Sequence, residues 1–336
     1  MSTPGDFAFD YLDRLSDTRG LYEHANGTAR REDHGYCTDD NARLLVVATR
    51  EPDTGVPHRL GRLALGFVRD AQSADGKFHN RMNRAGEWVD QPTVEDCWGR
   101  SLYGLGTAAS QHADPEVRSA ALVVYEKSVK QRSAGPRTMA FAALGAAEVL
   151  AVRPDHKPSR SLLADAITVI GPIREGAWQW PEDRLRYANA TLAEAVIAAG
   201  AALETPEIVE RGLTMLGWLR ALETQRGHLS VTGVRGRGPF DHGPQFDQQP
   251  IEVAAMADAC WRAYSLTTDS TWARGVTMAA RWFVGDNDSG AVMHDDVSGG
   301  AYDGLQRKGV NRNQGAESTL ALISTMQRAR SFAPLP

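Results

Sequence analysis

The chain has 336 residues, of which 42% are hydrophobic and 24% charged, an ordinary composition for a globular protein with a sizeable core, and one long enough for two domains or a single repetitive one. Its formal net charge of -5 argues against a general nucleic-acid binder, whose affinity comes from clustered Lys and Arg; Arg235-Gly-Arg237 reads as a small basic spot on a loop. No apolar stretch reaches spanning length, the polar start Met1-Ser-Thr-Pro-Gly-Asp6 is not a signal peptide, and the three cysteines (Cys37, Cys97, Cys260) form no C-x-x-C pair, so a cytoplasmic setting without membrane contact is expected.

The first helix is expected from Phe7 to about Leu15, and a polar, turn-rich loop from Leu21 to Tyr36 follows it. Thr38 is a suitable N-cap for a helix from Asp39 to about Arg50, with two acids in the first turn, where the helix dipole favours negative charge. His58 to Gln72 is amphipathic, with Leu60, Leu63, Ala64, Phe67 and Val68 on one side. A hairpin-like loop through Trp88 leads to Glu95-Asp-Cys-Trp-Gly-Arg100, which opens a small-residue helix, Ser101 to about Ser110. Further helices are expected from Pro115 to about Arg132, Thr138 to Val152, Ser159 to Ile170, Thr191 to Leu203 and Pro206 to Leu222. After a Gly-rich stretch, 227–247, come Ala254 to Tyr264, Thr271 to Val284 and a last helix ending near Arg330.

These helices fall into two alternating sets. One is Ala-rich and apolar all round, beginning near Asp39, Glu95, Pro136, Asn189, Gln249 and Gly315; the other is amphipathic. A helix apolar on every face must be surrounded by protein, whereas an amphipathic one can cover it. The sequence therefore predicts an all-α fold, a single (α/α)6 toroid of six inner and six outer helices over residues 1–336, with strand confined to short hairpins in the long loops.

In such a ring the inner helices run the same way, and the loops entering them pool at one end. They would bring together Asp39, Asp40, Arg43, Glu95, Asp96, Trp98 and Arg100 with Trp178, Trp180, Glu182 and Asn189. Gln248, Gln249, Glu252, Asn311, Asn313, Gln314 and Glu317 join from the C-terminal half, and His79 from the hairpin loop. Polar groups of this kind hold sugar hydroxyls, and flat indoles cover the apolar sugar face. Each has a plainer reading: Asp39, Asp40, Glu95 and Asp96 as helix-start charges, Glu252 and Glu317 as salt-bridge partners of Arg43 or Arg100, Trp178 and Trp180 as core.

The segments His34-Gly-Tyr-Cys-Thr-Asp-Asp-Asn-Ala-Arg43, Glu95-Asp-Cys-Trp-Gly-Arg100, Asp247-Gln-Gln-Pro-Ile-Glu252 and Asn311-Arg-Asn-Gln-Gly-Ala-Glu-Ser-Thr319 resemble the signatures of a bacterial helical-toroid family found alone or beside glycosyltransferase modules. More loosely, the chain is similar to (α/α)6 glycoside hydrolases, including endo-α-mannanases that use an adjacent Asp pair. The resemblance implies carbohydrate work on an oligosaccharide or polysaccharide, and functional association with a glycosyltransferase. Glycoside hydrolysis needs one carboxylic acid and one carboxylate, which points to Asp39, Asp40, Glu95, Asp96, Glu252 and Glu317 as candidates. A sugar epimerase of the α/α-barrel kind, with an acid/base drawn from His34, His79, His242 or His294, and a non-catalytic glycan-binding module are the alternatives. No cofactor is expected: phosphate-binding glycine motifs are missing, histidines lack metal-ligand spacing, and Asp286-Asn-Asp-Ser-Gly290 has Val297 where a calcium loop needs an acid.

Overall fold

The computed structural model describes residues 8–52 and 54–332. Its twelve α-helices are α1 Ala8–Arg14, α2 Thr38–Thr49, α3 Gly55–Ala71, α4 Asp96–Gln111, α5 Pro115–Ser128, α6 Pro136–Val152, α7 Lys157–Ile170, α8 Asn189–Ala202, α9 Pro206–Leu222, α10 Pro250–Thr267, α11 Ser270–Phe283 and α12 Ala316–Ala329. Phe7, the expected start of the first helix, lies outside the described residues. The even-numbered helices touch in sequence and α12 returns to α2, closing a ring. Around it α3, α5, α7, α9 and α11 each pack on the preceding inner helix, and α1 packs on α12. The fold is an (α/α)6 toroid.

The inner helices need small residues because they have neighbours on every side. At the α4–α6 crossing, a Cβ on Gly106 would stand 2.3 Å from the carbonyl oxygen of Gly145. Among the described residues, strand is limited to four short antiparallel pairs. One of them, Tyr36–Cys37 with Arg81–Met82, ties the entry of α2 to the loop after α3.

Two boundaries differ from expectation in informative ways. Helix α4 begins at Asp96 rather than Ser101, so Trp98 and Arg100 lie inside it. Thr38 is not the cap of α2: Cys37 precedes the helix, and the Thr38 hydroxyl donates to the His79 carbonyl at 2.7 Å. None of the six inner helices donates an amide hydrogen bond to its N-cap side chain, whereas the side chains of Asp114, His156 and Asp269 accept from the first turns of the outer helices α5, α7 and α11. The first amides of the inner ring are instead met by groups from other segments: Asn80 accepts from Asp39 at the start of α2, Glu252 from Asn189 at the start of α8, and the Glu23 carbonyl from Ala316 at the start of α12.

Towards the opposite end the ring is crossed by charge. Arg262 bonds Glu194 at 2.9 Å and Glu148 at 3.0 Å, while Arg328 and Arg50 meet on Asp258 at 2.5 and 3.1 Å. Arg50 also donates to the Tyr103 hydroxyl at 3.1 Å, so every inner helix, or the residue capping it, contributes to this belt. Burial alone would raise the Asp258 carboxyl, but Arg50 and Arg328 hold it below its ordinary range. No helix among the described residues is long and apolar enough to cross a membrane.

Candidate active site

At the mouth, the starts of α2, α4, α10 and α12 and the loop before α8 surround a cleft of about 490 Å³. Seven carboxylates line it: Glu23, Asp39, Asp40, Asp96, Asp247, Asp303 and Glu317. Arg43, Arg81, Arg100 and His24 stand among them.

Asp40 is the most constrained of these acids, with 2% of its surface exposed. Arg43, one turn on, forms an ion pair with it and reaches with its other terminal nitrogen to Glu317 at 2.6 Å. Burial foremost pushes the Asp40 carboxyl up to about 7; Arg43 opposes this, and Glu317, Glu23 and Asp39 add to it. Asp40 thus sits where a proton is held or released near neutral pH. Asp39 points differently, as neighbours on a helix must. One of its oxygens accepts from Asn80 at 3.1 Å, and the other, Oδ1, has no hydrogen-bond partner and lies 3.6 Å from Arg100 Nε. Arg100 is clamped on the far side by the Phe141 ring, 3.9 Å from its guanidinium carbon.

Asp96 is already engaged. Thr138, at the start of α6, donates to it at 2.7 Å and the Tyr187 hydroxyl at 2.6 Å. Tyr187 is 40% exposed, so its ring forms a wall of the cleft. The loop that presents it is pinned from below: Glu252 accepts from the backbone amides of Ala188 and Asn189 and from the Asn189 side chain. Ala188 takes a left-handed conformation there (φ 45°). Burial, then Glu223, pushes the Glu252 carboxyl up to about 8.

Several residues chosen from the sequence are placed elsewhere. Trp98 faces α5 and donates to the Ser128 carbonyl, and Trp180 is wholly buried against Trp218. Trp178 is half-buried, meets Trp218 edge-on and donates to the Glu182 carbonyl; these indoles are core rather than sugar platforms. Glu182 pairs with Arg137 at 2.7 Å, and Asn189 caps its own loop. Glu95 is exposed outside the cleft, and His79 stacks on Trp88. Gln248 is held by Asp288 and Gln314 by Asp295 and Ser298, both buried, while Asn313 accepts from the Gly27 amide. Glu252 lies beneath the mouth and pairs with neither arginine. The cleft does gather Asp39, Asp40, Arg43, Asp96, Arg100, Gln249, Asn311 and Glu317.

The residues missed are Glu23, His24, Arg81, Tyr187, Asp247 and Asp303. Arg81 lies in the short strand paired with Tyr36–Cys37 and the other five in loops; none is in a helix first turn, and these segments reach the mouth through long-range pairing. Asp303 accepts from the Gly315 amide at 2.7 Å and from Ser318 at 2.9 Å, joining the last hairpin to α12. One donor atom each from Glu23, Cys37 and Asp40 lies within 4.8 Å of the others, the spacing of a metal-ligand set. Arg81 and Arg43 already occupy the two carboxylates, and burial raises the Cys37 thiol well above its ordinary range.

No family model and no curated protein sequence matches the chain. Solved structures do match in fold. A sugar epimerase from a ruminal bacterium superposes with a TM-score of 0.72 at 11% identity, over 98% of this chain and 97% of that one. The cellulase Cel9M of C. cellulolyticium, solved with cellobiose, gives 0.67 at 8% identity over 99% of each chain. An α-1,6-mannanase of Salegentibacter sp. HEL1_6, solved with α-1,6-mannotetrose as a variant inactivated at two consecutive aspartates, gives 0.66 at 11%, over 99% of this chain and 100% of that one. At these identities the likeness establishes the toroid and leaves the reaction to the site itself.

Proposed function

We propose that the protein is a glycoside hydrolase whose reaction is carried by Asp40 and Asp39. One observation bears most of the weight: a buried carboxyl raised to about 7 lines the cleft together with a second carboxylate, Asp39, one of whose oxygens is buried 3.6 Å from Arg100 with no hydrogen-bond partner. Asp40 then protonates the glycosidic oxygen as the bond to the anomeric carbon breaks, and Asp39 meets the anomeric carbon or the water that attacks it. Arg43 positions Asp40 and Glu317 together, and Arg100 offers Asp39 a counter-charge. The consecutive aspartates inactivated in the mannanase support this choice of pair. Gln249, Asn311 and the Tyr187 ring line the same cleft and are assigned to the sugar hydroxyls and face.

A second reading, sugar epimerase, draws on His24, which lines the cleft with its Nδ1 3.0 Å from that of His34, and on the epimerases among the neighbours. One panel separates the two. Purified protein is incubated with α- and β-linked oligosaccharides and with free hexoses, and products are resolved by chromatography. Shortened oligosaccharides, lost in Asp40→Asn, support hydrolysis; an altered free hexose with every glycosidic bond intact overturns it.

A further inference from the structure

Beside the main cleft, and sharing Tyr187, Val234 and Gln249 with it, lies a second chamber of about 390 Å³. Its charge is the reverse of its neighbour's. Arg184, Arg186 and Arg235 line it, and the one acid among its walls is Glu252, whose carboxyl is occupied by three N–H donors.

The two loops that carry these arginines are fixed to each other. Leu185 and Arg237 exchange backbone hydrogen bonds at 2.7 and 3.1 Å, and Arg184 donates to the Arg235 carbonyl at 3.3 Å. Arg237 itself is buried and spends its guanidinium on the Leu222 and Gly243 carbonyls, which holds the second loop in place. The three lining arginines are exposed and loosely held. Arg186 stands 3.5 Å from Glu182 and Arg184 3.6 Å from Asp241, each a charge contact without a hydrogen bond. Planar guanidinium forks with free N–H groups suit a carboxylate or phosphate, which they bind through paired, charge-assisted hydrogen bonds.

We propose that this chamber is a subsite for an anionic group carried by the glycan, a uronate carboxylate or a sugar phosphate, next to a neutral sugar in the main cleft. The proposal rests on the hydrolase reading for what occupies the main cleft. Acids outnumber arginines seven to three in the main cleft, and arginines outnumber acids three to one next door, so the two chambers together select the orientation of a substrate charged at one end.

The test is equilibrium binding by ligand-observed NMR, using glucose, glucuronate and glucose 6-phosphate at low and high salt. It compares the wild type with the Arg184→Gln/Arg235→Gln double variant. One or both anionic sugars should bind roughly tenfold tighter than glucose at low salt, the two arms telling carboxylate from phosphate. That advantage should vanish in the double variant and shrink at high salt. A thermal melt checks that the double variant is folded; if it is not, Arg184→Lys/Arg235→Lys, which keeps charge but loses the fork, takes its place and should keep part of the preference. Equal binding of glucose and both anions, or a preference that survives in the folded glutamine variant or is unaltered in the lysine one, overturns the proposal. The two readings fail separately. A glycan panel with no hydrolysis but an intact anion preference removes the hydrolase and leaves the subsite, whereas hydrolysis of neutral glycans with no anion preference does the reverse.

Discussion

Replacing Asp40 by Asn separates a catalytic proton from a structural charge. The wild-type carboxyl moves from 3.8 to about 7 on folding, so the folded state favours the protonated form. The sign follows directly: Asp40 costs no stability below pH 3.8, costs progressively more as pH rises towards 7, and costs a constant amount above that. At 1.36 kcal/mol per pH unit the full penalty is roughly 4 kcal/mol. Asn is neutral throughout and removes this pH dependence, while Arg43 keeps Glu317 as its partner at 2.6 Å. Urea denaturation at pH 5 and pH 8 should therefore show the variant gaining on the wild type at the higher pH. Turnover on the best glycan from the panel should fall by about 10²–10⁴-fold, and wild-type turnover should decline above pH 7 as the acid loses its proton. A variant equally destabilised at both pH values, with turnover per folded molecule unchanged, would refute the assignment and make Asp40 a structural charge.

Tyr187→Phe removes the 2.6 Å donor to Asp96, a loss of about 0.5–1.5 kcal/mol; KM should rise with little change in the melting temperature, and steady-state kinetics with a melt checks both. Asp258→Asn leaves Arg50 and Arg328 without their common carboxylate and should cost about 3–5 kcal/mol in denaturant titrations, with turnover per folded molecule retained. Because those arginines hold Asp258 below its ordinary 3.8, its contribution is complete above that pH and is lost only as pH falls below it. Gly106→Ala should cost about 1–3 kcal/mol, since its methyl meets the Gly145 carbonyl and must push α4 from α6; an unchanged melting temperature would contradict that.

The toroid was legible because alternation between helices apolar all round and helices apolar on one side has few solutions. The α8 segment Asn189–Ala202, ten of whose fourteen residues are Ala, Val, Ile or Leu spread over every face, can only be interior. The pooled acids at α2, α4 and α12 followed from that geometry. Trp98 and Trp180 were misplaced because an indole near a helix start satisfies the requirements of a sugar platform and of a core residue equally well; only packing against α5 and Trp218 separates them. Glu23 and Asp303 were missed for the opposite reason. They lie in irregular loops, and their arrival at the mouth depends on long-range contacts such as Glu23 with Arg81 and Asp303 with Gly315. The Asp40–Arg43 pair, being local and one turn apart, was readable in advance.

The charged belt across the far end gives the ring a floor. Between that floor and the mouth remains a cavity of about 80 Å³, bounded by Glu194, Asp258 and Ser324 and large enough for two or three water molecules. The protein is therefore a cup and not a sleeve: a polymer cannot be threaded through it. On the proposed hydrolase reading, a glycan would settle from above, across the rim or end-on, and its products would leave by the opening through which it came. Successive cleavages along one strand then require the strand to lift and reseat, so release and re-entry, rather than sliding, would set how many cuts follow a single encounter.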